Sequence, residues 1–235
     1  MYRSQPPAFQ SPENMVEALK PSEPVYCVRH QNIEKVAKRF LTGFSGDVLY
    51  AIKCNTEKHM LQALYNSGIR HFDVASLAEI ELVSNLFEGA RLYFMHPVKS
   101  RTAIISAYKE YGVRHFVVDH LSELNKITES LIDQAGIVII VRLAVENVGA
   151  KYELSSKFGA TIAESLDLIR TSVERGFSYG IAFHVGSQCI DPNGYRHGLN
   201  LVGEVLSNVD KEPVCIDVGG GFPADYVNSS GPELE

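Results

Sequence analysis

From Val48 onward, short apolar runs alternate with longer stretches whose apolar residues recur at helical spacing. The runs at 48–53, 71–75, 91–95, 115–118, 137–145, 179–185 and 214–218 are the predicted strands. Helices are predicted near 56–67, 77–87, 100–111, 121–134, 162–175 and 196–207; in the first, Met60, Leu61, Leu64 and Tyr65 share a face. Gly68, Gly112 and Gly136 stand where such helices end, as residues able to close them do. Segments such as VLYAI, IVIIV and VCIDV are apolar throughout, the pattern of parallel strands covered on both faces. A doubly wound sheet would accommodate these units, but their regularity favours a TIM-type (β/α)8 barrel. Seven strands alternating with helices are counted, so the chain is expected to stop one strand short of closure, truncated before the last barrel strand.

The residues before Val48 read differently. Residues 1–24 are polar, punctuated by Pro6, Pro7, Pro12, Pro21 and Pro24, and are expected to form a flexible arm or loop. Val25–Val28 is a short strand candidate, and 32–40 has helical periodicity with Ile33, Val36, Ala37 and Phe40 on one stripe. The expected organisation is an arm (1–24), a lead-in strand and helix (25–47), an incomplete barrel (48–223) and a tail (224–235).

Composition narrows the function classes. The chain has 235 residues, 45% of them apolar, enough for a sizeable core. Its formal net charge of −6 lacks the basic excess of a general nucleic-acid binder. No run is long enough to cross a membrane, and the N-terminus lacks a signal-peptide core. Cys27, Cys54, Cys189 and Cys215 show neither a CxxC pair nor metal-ligand spacing, as expected of reduced thiols in a cytoplasmic protein without a metal.

In a barrel, residues ending successive strands meet at one mouth. Here they are Lys53, Asp73 with Ser76, His96 with Lys99, Asp119, Arg142, His184 with Gly186-Ser187, and Asp217 with Gly219-Gly220-Gly221. Lys53 is either a solvated strand-end lysine or, partly desolvated, a nucleophile toward carbonyls. The glycines make either a tight turn or a cradle of backbone N–H groups for a phosphate, with Ser187 adding a hydroxyl. His184 is either a satisfied core histidine or a ring stacking on a flat cofactor. Arg142 needs a partner, whether a phenolate-type oxygen, a carboxylate or a phosphate. Asp73 either caps a helix or orients a cation; Glu79, in the helix after it, reads as a solvated face. Amine, ring and cradle together describe a pyridoxal-phosphate site.

The segments YAIKCN (50–55), FDVAS (72–76) with Glu79, HPVK (96–99), VVD (117–119), SSKFGA (155–160), FHVGSQC (183–189) and DVGGGFP (217–223) occur in one order. In this the chain resembles the ornithine/diaminopimelate/arginine decarboxylases, pyridoxal-phosphate enzymes of alanine-racemase-like fold, and most closely the ornithine decarboxylase branch. The resemblance implies Lys53 as the Schiff-base lysine, His184 stacked on the cofactor ring, and Ser187 with Gly219, Gly220 and Gly221 holding its phosphate. Asp73, Arg142 and Glu79 would line the pocket. The implied reaction is decarboxylation of a basic amino acid, ornithine to putrescine foremost, by a homodimer in polyamine synthesis.

The chain departs from that pattern at its end. The Glu-Pro-Gly-Arg motif of the last barrel strand and the β-rich C-terminal domain have no counterpart after Phe222, and activity of this length alone is not expected. The competing readings are a non-catalytic pyridoxal-phosphate-binding or regulatory homologue and a different barrel enzyme handling a phosphorylated substrate. The latter leaves Lys53 with His184 unexplained.

Overall fold

In the computed structural model, residues 7–146, 150–152 and 157–225 are described. Two helices lead the chain, α1 (Pro12–Leu19) and α2 (His30–Gly43). Strand β1 (Leu49–Ala51) follows and runs into a single 3-10 turn, Ile52–Cys54. Then come α3 (Lys58–Asn66), β2 (His71–Val74), α4 (Leu77–Leu86), β3 (Arg91–Phe94), α5 (Arg101–Lys109), β4 (His115–Val118), α6 (Leu121–Ser130) and β5 (Val138–Arg142). The rest is β6 (Ala150–Tyr152), α7 (Ile162–Glu174), β7 (Ser178–Ala182), β8 (Ser187–Cys189), α8 (Asn193–Leu206) and β9 (Ile216–Asp217).

Seven strands form one parallel sheet in the order β1-β2-β3-β4-β5-β7-β9, and β6 pairs antiparallel with β8 beside it. Each large strand thus lies next to the one before it, the winding of a barrel rather than of a doubly wound sheet. Among the described residues the sheet ends on β1 and on β9. Val214 and Ile216, 58% and 42% exposed, mark the β9 side as an edge.

The strands are apolar on both faces because both are covered. In β5, Ile139 and Val141 join Phe72, Val74, Phe94, Phe116, Tyr179 and Phe183 in the layer against the helices, where Ile80, Ile104, Ile127 and Ile169 meet them. Ile140 faces the other way, with Val117 and Ala182. At about 25 cal/mol per Å² of apolar surface removed from water, this two-sided burial is the main stabilisation of the sheet. Several helices begin on side-chain caps: Ser76 for α4, Ser100 for α5, and a reciprocal Thr161–Glu164 box for α7.

Three sequence expectations fail. Val25–Val28 is not a strand: Tyr26 is 97% exposed and no described residue pairs with the segment, so its apolar run gains no ladder. Within the expected N-terminal arm, Pro12–Leu19 is helical, with Ser11 accepting from the Asn14 N–H, Pro12 in the first turn and Met15 buried. The run 137–145 is ladder only at 138–142; beyond it Leu143 makes one bridge to Ala160.

Candidate functional site

The strand ends carry the charged residues. Lys53 lies in the 3-10 turn after β1 rather than on the strand itself, and it is exposed instead of partly desolvated. Register puts Asp73 of β2 opposite Ala51, two residues before that lysine. Burial pushes the Asp73 carboxyl up to about 6; Lys53 and Arg142 pull it down, while Asp217 and Glu79 push it further up. Arg142 closes β5, half-buried, and burial lowers its pKa against the attraction of Asp119, Asp73 and Asp217. Asp217 ends β9, and burial raises it too, although its Oδ1 accepts the Gly219 N–H at 2.7 Å and Arg142 stabilises its charge.

His184 follows β7. Burial depresses its pKa to about 4, and the nearby charges of Arg142 and Lys53 lower it further. Its Nδ1 lies 3.0 Å from the Gly186 N–H and accepts that hydrogen bond, so the ring is neutral with its remaining proton on Nε2. Nε2 in turn lies 3.6 Å from where a Cβ on Gly220 would sit. A flat, uncharged imidazole thus rests against the glycine turn, within electrostatic reach of Lys53.

The glycines at 219–221 are required by close approach. Gly219 and Gly221 have φ of +71° and +96°; a Cβ on the former would overlap the Phe183 carbonyl oxygen, and one on the latter the Gly186 carbonyl oxygen. The sequence reading offers all three N–H groups to a phosphate, but Gly219 spends its own on Asp217. The Gly220 carbonyl accepts from the Tyr195 hydroxyl at 3.1 Å and the Gly221 carbonyl from the Cys189 N–H at 2.8 Å. Ser187, in β8, belongs to the segment packed on this turn.

Other predicted residues have local duties. Glu79 is no solvated face: it is half-buried, its Oε2 accepts the Ala75 N–H at 2.7 Å, and its own N–H donates to Ser76 Oγ at 3.3 Å. Lys99 is buried, 3.1 Å from Glu123 Oε1 and donating to the carbonyls of His96 and Val117 at 3.0 and 2.6 Å. Asp119 Oδ2 accepts the Gly159 N–H at 3.0 Å. Of SSKFGA, Ser155 and Ser156 lie outside the described residues.

Sequence reasoning missed two aromatic side chains. Phe158 lies under the Arg142 guanidinium at 5.3 Å and edge-on to His96 at 5.8 Å. Tyr195 stacks on Phe222 at 5.2 Å, and Phe222 meets Phe40 edge-on at 5.3 Å. Phe158 stands in the SSKFGA segment, but neither residue's role is local, since both act on residues remote in sequence. A cavity of 240 Å³ between the end of α7 and Asn208–Lys211 lies outside this cluster, and a second of 140 Å³ shares only Asp119 with it. No group of three metal-ligating side chains forms among the described residues, and no helix there is long and apolar enough to cross a membrane.

The bare turn, the neutral ring and the amine suit pyridoxal phosphate. Gly220 leaves open the space a Cβ would fill, His184 offers an aromatic face, and Lys53 is reachable. Comparison with known proteins points the same way. Residues 30–234 match the family model described as pyridoxal-dependent decarboxylase, pyridoxal binding domain. The lysine/ornithine decarboxylase of Selenomonas ruminantium is 35% identical over 181 residues, 75% of this chain and 45% of that protein. The ornithine decarboxylase of Panagrellus redivivus is 34% identical over 181 residues, 74% of this chain and 40% of that protein. The chain therefore spans less than half the length of these relatives. Among solved structures, the arginine decarboxylase of Paramecium bursaria Chlorella virus superposes with a TM-score of 0.83 at 26% identity, covering 94% of this chain and 60% of the other.

Proposed function

The chain belongs to the pyridoxal-dependent decarboxylases, in the part that binds the cofactor pyridoxal phosphate, and from that premise we propose that the whole protein decarboxylates a basic amino acid, L-ornithine foremost. The observation that carries this reading is that the Lys53 charge acts on both Asp73 and His184, while the His184 ring lies against Gly220. We also propose a cytoplasmic homodimer in polyamine synthesis, with residues 48–223 as its cofactor-binding barrel.

Pyridoxal phosphate, when bound, supplies the electron-accepting ring into which the charge left by the departing carboxylate spreads. The chain's own residues hold and orient it. Lys53 would be the amine that holds the cofactor at its aldehyde, and its exposed place at the turn leaves it accessible. His184 keeps an uncharged face toward a flat ring because burial and its cationic neighbours disfavour its protonation. Gly220 and Gly221, with Ser187, would hold the phosphate. Arg142 lies within electrostatic reach of Asp119, Asp73 and Asp217, and its guanidinium would offer the cofactor's ring oxygen a charged donor. Asp73 is the carboxylate counterion of the lysine side, and Glu79 pins the backbone at Ala75 just beyond it.

The test is a titration of the 235-residue protein with pyridoxal phosphate, borohydride trapping and peptide mapping. A covalent adduct on Lys53, lost in Lys53→Ala, is expected; a trapped adduct only on other lysines would refute the assignment. Carbon dioxide release by the whole protein, with ornithine, lysine, arginine and diaminopimelate compared, tests the substrate. Equal or greater release from any of the other three would overturn ornithine.

A further inference from the structure

We propose that Tyr195 is a positioning residue for phosphate recognition: its hydroxyl, by holding the Gly220 carbonyl, aims the Gly221 N–H at the bound phosphate. This rests on the cofactor reading above and adds a residue that no sequence motif singles out.

The geometry starts from the peptide plane. In a trans peptide the C=O of one residue and the N–H of the next point in opposite directions, and no peptide bond among the described residues is cis. Fixing the Gly220 carbonyl therefore fixes the Gly221 N–H. Tyr195 is the third residue of α8 and approaches from the helix layer, donating to that carbonyl at 3.1 Å. The paired N–H is turned the other way, away from the Tyr195 hydroxyl.

A glycine turn needs such a device. Three consecutive residues without Cβ atoms have the widest backbone freedom of any tripeptide, and an unrestrained peptide plane could flip its N–H away from a ligand. Two other planes of the turn are already held. Asp217 takes the Gly219 N–H at 2.7 Å, and the Cys189 N–H holds the Gly221 carbonyl at 2.8 Å. Tyr195 supplies the bond for the plane between Gly220 and Gly221.

The tyrosine is itself held. Its ring stacks on Phe222 with planes 20° apart, and Phe222 is gripped edge-on by Phe40 of α2. Burial raises its phenol pKa, so the group remains a protonated donor throughout the working pH range.

Tyr195→Phe removes the hydroxyl and keeps the stacked ring. The experiment measures, on the 235-residue protein, the dissociation constants of pyridoxal phosphate and of pyridoxal, for wild type and variant. Wild type is expected to favour the phosphorylated form strongly. In Tyr195→Phe, pyridoxal phosphate affinity is expected to fall about tenfold, the worth of one lost hydrogen bond, while pyridoxal affinity stays unchanged. If the variant weakens both compounds equally, or neither, the positioning role is overturned while the cofactor reading stands. If wild type itself does not distinguish the two compounds, the phosphate cradle fails, and this role with it. Tyr195→Leu, which also loses the stack on Phe222, is expected to lower the melting temperature as well. Equal phosphate discrimination in Tyr195→Leu and wild type would overturn the proposal independently of Tyr195→Phe.

Discussion

Asp73 is expected to weaken the fold at neutral pH, and its replacement by Asn to strengthen it. The carboxyl rises from 3.8 to about 6 in the folded chain because burial outweighs the attraction of Lys53 and Arg142. A shift of about two pKa units corresponds to about 3 kcal/mol; the side chain is only half-buried, and screening reduces this to about 2 kcal/mol. The sign follows from linkage. A group whose folded pKa is raised favours the fold below its unfolded pKa, and that contribution disappears as pH climbs through the folded pKa. At pH 7.5 the ionised Asp73 therefore costs the ligand-free chain its full penalty, whereas near pH 4.5 the folded carboxyl is protonated and about 1 kcal/mol remains. Urea unfolding of wild type and Asp73→Asn at both pH values isolates the effect. With a slope of about 2 kcal/mol per molar, the variant's midpoint should lie about 1 M higher at pH 7.5 and about half that at pH 4.5. A variant that is less stable than wild type at pH 7.5, or whose gain is the same at both pH values, would refute the reasoning.

Three further outcomes follow from the geometry. Lys99→Met should destabilise by about 2–4 kcal/mol in chemical unfolding, because the carbonyls of His96 and Val117 lose a buried donor, although Glu123 keeps Lys126 at 2.5 Å. Gly221→Ala should abolish measurable pyridoxal phosphate binding at concentrations that saturate wild type, since a methyl at φ +96° overlaps the Gly186 carbonyl oxygen; wild-type affinity in the variant would show that the turn is not the cradle. The His184 ring should titrate near pH 4 in a proton NMR series, so it stays neutral through the physiological range and favours the fold less as pH falls from its ordinary value toward that midpoint. A midpoint above 6 would remove the premise of a neutral stacking face.

Where the sequence was readable, it was readable for physical reasons. The seven sheet strands sit where apolar runs stand because each strand is covered on both faces, and such strands have no polar side to blur the pattern. Ser76 with Glu79 three residues later is a helix-start signature, so the engaged role of that glutamate was available to a reading that instead left it to solvent. The same holds for Ser11-Pro12 before α1, hidden by the prolines around it. Val25–Val28 failed for the opposite reason: a short strand exists only if a neighbour pairs with it, and pairing is not a local property. The strand-end residues were legible as a list because barrel geometry gathers them, but the list did not say that Asp217 claims the Gly219 N–H. The roles of Phe158, although it stands in the SSKFGA segment, and of Tyr195 were not legible, since each depends on a partner that the fold brings to it.

The two borders of the sheet give the site a mechanical side. Lys53 extends from β1 at one border, and the glycine turn extends from β9 at the other. A compound clasped at its aldehyde by the first and at its phosphate by the second would span the seam like a rivet. Amide hydrogens of 49–51 and 216–221 would then slow their exchange together on loading, while those of the central β4 and β5, already locked between neighbours, would hardly change.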